Sequence, residues 1–269
     1  MESAAGGAVN APARLGQSVW RAVKFTYPIA LVVLAWAIAA RSGWVRPLFL
    51  PSPQAVAEQF WPLLVGGEIV KPLAVSLWRA FGGLVLALVI GAAAGLAMAR
   101  MRWVRWGVDP VVSFAFPAPK IAFMPIFILW FGIDDVSKIL LVAFTCVFPI
   151  IVSTYHGATA VSRTVIWSAQ AMGTSERTLL RRVVLPATLP YIFTGLRVTV
   201  PVALITAYTA EMVAGGGGLG SALMFAQRFF QTPAVFLYII LMLLSGVVLD
   251  QVMLAARSRL IPWQPEEDA

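Results

Sequence analysis

The stretch from Ile139 to Ser162, ILLVAFTCVFPIIVSTYHGATAVS, runs for 24 residues without a charged side chain. A helix needs about 20 apolar residues to cross the ~30 Å hydrocarbon layer of a bilayer, and an unpaired charge at its centre costs at least about 2.5 kcal/mol. A run of this length is written for a membrane. Three more windows share the property: Phe25 to Ala40 (16 residues), Ala80 to Ala99 (20) and Phe229 to Leu249 (21). Two further apolar stretches contain ionisable residues, about Asp109 to Gly132 with Lys120 and about Tyr191 to Val213 with Arg197 and Glu211. The chain of 269 residues therefore reads as an all-α membrane protein with about six crossings. Its 60% hydrophobic and 12% charged residues lie far from the ~45–50% and ~25% of soluble domains. The mean hydropathy of +0.85 is spread over several runs, which excludes both a soluble enzyme and a single anchor carrying a soluble head.

A net charge of +8 invites a nucleic-acid reading, but the Lys and Arg residues sit between the apolar runs, where they set orientation instead. Arg14, Arg21, Lys24, Arg100, Arg102, Arg105, Arg163, Arg177, Arg181, Arg182, Arg257 and Arg259 fall on one side. Arg41, Arg46, Lys71, Arg79, Lys138 and Arg228 fall on the other, with Lys120 and Arg197 assigned to neither. The side with the surplus stays in the cytoplasm, so both termini are expected there. No nucleic-acid partner is expected.

The first crossing follows a basic flank and ends in Ala37-Ile38-Ala39, which admits a cleaved signal peptide as the alternative to a retained helix. Cleavage would leave five crossings and an external N-terminus, so a retained helix is the preferred expectation. The domain reading is a cytoplasmic N-terminal tail at 1–24, of which residues 1–17 read as mobile, a transmembrane domain at 25–262, and an acidic cytoplasmic tail at 263–269. The Pro-rich connection from Arg41 to Lys71 is expected on the outside, with an interfacial helix at Gln54 to Leu64. Gly91 and Gly95 form a GxxxG pattern suited to close helix packing.

Catalytic chemistry is poorly provided for. His156 is the single histidine and Cys146 the single cysteine, so no histidine-pair zinc motif and no intrachain disulfide can form. Asp134 and Asp135 are adjacent but precede Lys138 in a loop, where carboxylates are usually solvated. No lysine follows a glycine, which excludes a P-loop in this chain. No catalytic residue and no metal site are expected.

The cytoplasmic connection Arg163 to Pro190 is too long for a simple turn. It reads as two short helices hinged at Gly173. Thr174 or Ser175 caps the second, Glu176 complements its N-terminus, Arg181 and Arg182 its C-terminus, and Pro186 stops it. Leu179, Leu180, Val183 and Val184 make one face apolar and leave the arginines on the other. Such an element is shaped to dock into a groove on a partner.

The spacing Gly173, Val183, Pro186, followed by Pro190-Tyr191-Ile192-Phe193-Thr194-Gly195-Leu196-Arg197, resembles the EAA loop of permease subunits of type I ABC importers. Pro117-Ala118-Pro119-Lys120-Ile121-Ala122-Phe123-Met124-Pro125, Leu129-Trp130-Phe131-Gly132, Ala210-Glu211-Met212 and Phe230-Gln231-Thr232-Pro233 agree with it, and resemble the branch importing nitrate, sulfonates and taurine. Trp167 stands where the family usually has its glutamate, and Ser168 replaces the first alanine.

The resemblance covers about residues 45–262. It implies the type I importer permease fold in a bacterial cytoplasmic (inner) membrane, in contact with membrane lipid. It implies two ABC ATPase subunits carrying ATP and magnesium, an extracytoplasmic binding protein, and a second permease copy as a homodimer, while this chain holds no cofactor. Ala169, Ala171, Gly173, Thr174, Ser175 and Glu176 take the role of the coupling helix. A small solute would pass, a nitrate-, sulfonate- or taurine-like anion among the candidates, its selection resting largely with the binding protein. A secondary transporter or channel is the alternative and would need no such loop, and an intramembrane enzyme is the remoter one.

Two charged residues inside crossings are candidates for the path or its gate. Lys120 either attracts an anionic substrate or snorkels to water or a carboxylate. The prolines before it predict a kink or break. Glu211 either pairs with a basic residue or helps gate the outer end. Gly215-Gly216-Gly217-Gly218-Leu219-Gly220 reads as an irregular re-entrant turn at the outer face, where a binding protein could dock.

Overall fold

Small residues decide how closely two helices can approach, and they recur every four positions along α3 (Val70–Arg100) as Gly83, Ala87, Gly91 and Gly95. The computed structural model describes the backbone of residues 11–261 and the side chains of residues 26–261. In it this stripe lies directly on α6 (Asp135–Ala160). A Cβ at Gly91 would come within 2.8 Å of Ile150, and one at Gly95 within 2.7 Å of the Ile151 carbonyl. The sequence pattern named two of the four contact residues; helix periodicity and the partner's position supply the others.

The same device joins α6 to α9 (Leu185–Ala214), where Gly157 faces Tyr191 and Gly195 faces Ser153. Helices α3, α6 and α9 form the centre, filled by Ala87, Val142, Cys146, Ile150, Leu196, Val200, Ala203 and Ala207. Cys146 is fully buried there, as a small hydrophobe.

Around this centre lie α1 (Ala11–Arg41), α2 (Pro53–Val65), α4 (Arg102–Ala115), α5 (Met124–Phe131), α7 (Arg163–Ala171), α8 (Glu176–Leu179), α10 (Leu219–Arg228) and α11 (Thr232–Leu260). No strand occurs among the described residues. Four helices are long and apolar enough to span a bilayer, namely α3, α6, α11 and the continuous helix Glu176–Ala214. Helix α4 and the segment Lys120–Phe131 pass the same test together but meet at 98°. The expected crossing near Asp109 to Gly132 is thus broken, at the Pro117 to Pro119 segment that predicted it. The described apolar part of α1, Thr26–Arg41, is shorter than a full span by itself.

Three expectations are corrected. Helix α1 begins at Ala11, inside the segment read as a mobile tail, because Ala, Leu, Arg and Gln favour helix. Residues 1–10 and 262–269, which include the whole predicted acidic tail at 263–269, lie outside the described residues. Pro186 does not stop a helix. The chain passes from α8 through a π turn at Leu180–Val184 directly into α9. There the Leu185 N–H bonds five residues back to Leu180, a register change that accommodates the donor missing at Pro186. Arg181 and Arg182 accordingly flank no helix end.

Candidate coupling element and buried charge cluster

Local rules build the first site. Helix α7 ends in a Schellman motif, with Gly173 N–H donating to Gln170 (2.9 Å) and Thr174 N–H to Ala169 (3.1 Å). Gly173 takes φ +76°, a left-handed conformation that a side chain resists. Ser175 then caps α8, its Oγ accepting from Thr178 N–H. Glu176, in the first turn of α8, accepts from Gln170 at 3.2 Å and forms an ion pair with Arg100 at the end of α3. Arg100 holds this exposed carboxyl below its usual range. Leu179 and Val184 are fully buried against Ala158 and Ala169, with Leu96, Ala99, Val161 and Ile166 around them. The apolar and basic faces are therefore as the sequence ordered them.

Of the six coupling residues named from sequence, Ala171, Gly173, Ser175 and Glu176 are exposed and Thr174 is half-buried. Ala169 is buried, so it packs the element onto the core rather than presenting a surface. Trp167 (62% exposed), Met172 and Val165 were missed, and they form the apolar part of the free surface.

The second site lies at the opposite end of α3. Arg79 and Arg100 are 21 residues apart, about 32 Å along a helix, close to the hydrocarbon thickness of a bilayer. Arg79 is 2% exposed and all three guanidinium nitrogens donate. Nε and Nη2 bond Asp135 Oδ1 (2.9 and 2.6 Å), Nη1 bonds Glu211 Oε1 (2.9 Å) and the Gly217 carbonyl (2.8 Å), and Nη2 also bonds the Gly216 carbonyl (2.6 Å).

Glu211, fully buried, also accepts from Ser76 Oγ (2.7 Å) and Gly220 N–H (3.0 Å), and Ser76 Oγ accepts from Leu219 N–H. Buried charges persist only when paired and hydrogen-bonded, and here α3, α6, α9 and α10 meet to meet that demand. The glycine loop is a wrapper for Arg79. Gly215 to Gly218 all have positive φ, and a Cβ at Gly218 would overlap the Glu211 carboxylate.

The cluster overturns three readings. Arg79 and Lys138, counted among external loop charges, are buried. Lys138 Nζ donates to the Ile133 carbonyl at 2.6 Å. Asp135 opens α6 and is ion-paired to Arg79 rather than merely solvated. Glu211 takes the paired alternative. The missing signal was that Arg79 lies one residue outside an uncharged window, where sequence alone cannot tell a loop from a helix end.

Lys120 stands at the break after α4. Its Nζ donates to the Phe116 carbonyl, and lies 5.6 and 5.8 Å from the Phe116 and Phe148 ring centroids. It is paired to no carboxylate among the described residues. Arg197 on α9 and Asp250 on α11 form a looser pair at 3.5 Å, half-exposed on both sides. His156 is exposed beside Tyr155, and no cluster able to hold a metal occurs among the described residues.

Comparison with known proteins adds what geometry alone does not. Residues 83–261 match the family model described as binding-protein-dependent transport system inner membrane component. The aliphatic sulfonates transport permease protein SsuC of Escherichia coli (strain K12) is 34% identical over 245 residues, covering 91% of this chain and 93% of that one. The taurine transport system permease protein TauC of the same organism is 33% identical over 243 residues, covering 88% of each. Among solved structures, an inward-facing conformation of the MetNI methionine ABC transporter matches with TM-score 0.57 at 20% identity, covering 76% of this chain and 97% of that one.

Proposed function

The chain belongs to the family of binding-protein-dependent transport system inner membrane components, and we propose that it conducts a small sulfonate-like anion, delivered by an extracytoplasmic binding protein, with α7 and α8 as its ATPase dock. It is a multi-pass inner-membrane permease subunit of an ABC importer, and ATP hydrolysis belongs to a separate subunit. Membership sets aside the stand-alone transporter and the intramembrane enzyme.

The carrying observation is the continuous helix Glu176–Ala214. Its 39 residues make a rod about 58 Å long. One end holds the exposed turn at Gly173, and the other holds Glu211 in the charge cluster. In this reading an ATPase gripping α7 and α8 moves the rod, and the π turn at Leu180–Val184 is its compliant point. The same motion displaces the outer cluster, so that one two-state change is converted into another. Ala171, Gly173, Thr174, Ser175 and Glu176 shape the docked turn, Ala169 seats it, and Lys120 faces the path at the broken crossing. The gate reading of Glu211 survives only as an indirect one, through its pair with Arg79. Two ATPase subunits with ATP and magnesium, a second copy of this chain and cytoplasmic termini complete the assembly. The sulfonate-like substrate rests on the names of the two relatives.

The test begins with gentle purification from the native cell and mass spectrometry of what copurifies. A stoichiometric chain with a Gly-x-x-x-x-Gly-Lys-Ser/Thr loop is expected; repeated isolation of the intact protein alone would overturn the docking assignment. Gly173→Val is the companion experiment. No atom lies within 4 Å of a Cβ there, so the protein should fold at a backbone cost of about 1–2 kcal/mol. Substrate-stimulated ATP hydrolysis should be lost, and normal coupling would refute the role given to this turn.

A further inference from the structure

Arg197 and Asp250 are the charged pair that neither the coupling element nor the outer cluster uses. Arg197 lies 14 residues before Glu211 on α9, about 21 Å deeper along the helix, within the depth of the hydrocarbon layer. Its side chain is 53% exposed and that of Asp250 36%. A charge at that depth is costly when it faces lipid, so Arg197 and Asp250 face water or polar groups rather than lipid tails.

The pair is also incomplete. The closest approach is Arg197 Nε to Asp250 Oδ1 at 3.5 Å, and Arg197 makes no hydrogen bond within the described residues. Beside it lies a cavity of about 70 Å³, lined by Phe193, Thr194, Arg197, Met253, Leu254 and Arg257. The Thr194 hydroxyl already donates to the Pro190 carbonyl (3.0 Å), leaving the guanidiniums as the free donors. Among the described residues here, Arg197 and Arg257 against Asp250 leave one positive charge in excess.

We propose that this cavity binds one oxyanion group, held by the Arg197 guanidinium with Arg257 at its cytoplasmic end. A planar fork of N–H donors matches the oxygens of a sulfonate or phosphate, and a small cavity admits the head of such a group. Asp250 holds Arg197 in place when the site is empty and competes with the incoming anion. Two sources supply this chemistry: the sulfonate of a transported solute on its way to the cytoplasm, and the phosphate of an anionic lipid. The first source rests on the importer reading; the site itself does not.

The test uses the permease purified with its ATPase in neutral detergent. Ethanesulfonate is titrated against the unfolding midpoint, with sodium chloride at equal ionic strength as control. Retention of phosphatidylglycerol is read separately by native mass spectrometry. A unit charge at this range is worth about tenfold or more in affinity. Arg197→Gln should therefore weaken binding of the responding probe about tenfold, and Asp250→Asn should strengthen it by a similar factor. Opposite signs separate a binding site from a structural ion pair, since breaking a structural pair from either side only destabilises.

An Arg197-dependent response to ethanesulfonate assigns the site to the solute, and Arg197-dependent lipid retention assigns it to the lipid. Saturable binding of neither probe, or equal binding in the wild type and Arg197→Gln, overturns the proposal. So does weakening in both variants. Copurification of the ATPase and its basal hydrolysis are recorded alongside. Their retention without anion binding sinks this site alone, whereas their absence from the wild type counts against the importer reading.

Discussion

Replacing Glu211 by leucine removes one carboxylate from a cluster in which both it and its partner Arg79 are buried. Arg79, 2% exposed, keeps Asp135 at 2.6 Å and two carbonyls, while Ser76 Oγ and Gly220 N–H lose their acceptor. Breaking a buried pair from one side costs about 3–5 kcal/mol, and each orphaned donor about 1–3 kcal/mol. The two costs overlap, because the first already includes groups left unpaired, and the surviving Asp135 contact offsets part of the loss, which leaves about 4 kcal/mol as an order of magnitude. Glu211→Gln, which keeps an acceptor for Ser76 and Gly220, should lose less.

The Arg79→Leu, Glu211→Leu double variant removes both buried charges. Asp135, half-exposed, can then hydrate. The double variant should therefore be more stable than the sum of the singles by about 2–3 kcal/mol. The midpoint of unfolding in neutral detergent with increasing dodecyl sulfate reads all four proteins. A loss below about 1 kcal/mol for Glu211→Leu, or strict additivity in the double variant, would refute the claim that Arg79 and Glu211 neutralise one another in a buried site.

Other expectations follow from packing and exposure. Gly91→Val drives a side chain into Ile150 and should cost about 1–3 kcal/mol in the same assay, while Gly246→Ala, where no atom lies within 4 Å, should not destabilise. Trp167→Ala, on the free face of α7, should leave stability within about 0.5 kcal/mol yet reduce the ATPase that copurifies; unchanged copurification would remove Trp167 from the docking surface. Arg100→Ala breaks an exposed ion pair worth about 0–1 kcal/mol, but it unties α8 from α3. Substrate-stimulated hydrolysis should fall while the melting midpoint barely moves, and an unaltered stimulation would show that this tie transmits nothing.

Much of the coupling element was legible because it is governed by local rules. A glycine at a left-handed position, a serine cap and an apolar stripe at helical spacing are all properties of a few consecutive residues. The exception is instructive. Pro186 reads as a stop by the same local rules, yet the helix continues, since a π turn of five residues absorbs the missing donor. Local signals specify what a residue cannot do, and the chain had a second way of complying.

The sequence by itself determined that this protein lives in a bilayer, because the cost of burying charge in hydrocarbon leaves uncharged runs of a countable length. It also determined where the third crossing breaks and that the segment after α6 forms two short helices hinged at Gly173. Only the tertiary structure decided that Ser76, Arg79, Asp135 and Glu211 are one object. They come from three helices and span 135 positions between Ser76 and Glu211, and no local pattern records which helix ends will meet. The four-residue glycine run shows the same division: its composition announced an irregular turn, but that the turn exists to surround a guanidinium depends on where α3 delivers Arg79. Pairing of buried charges is a long-range condition, imposed when helices pack, and so it is written in the fold rather than in any window of the chain.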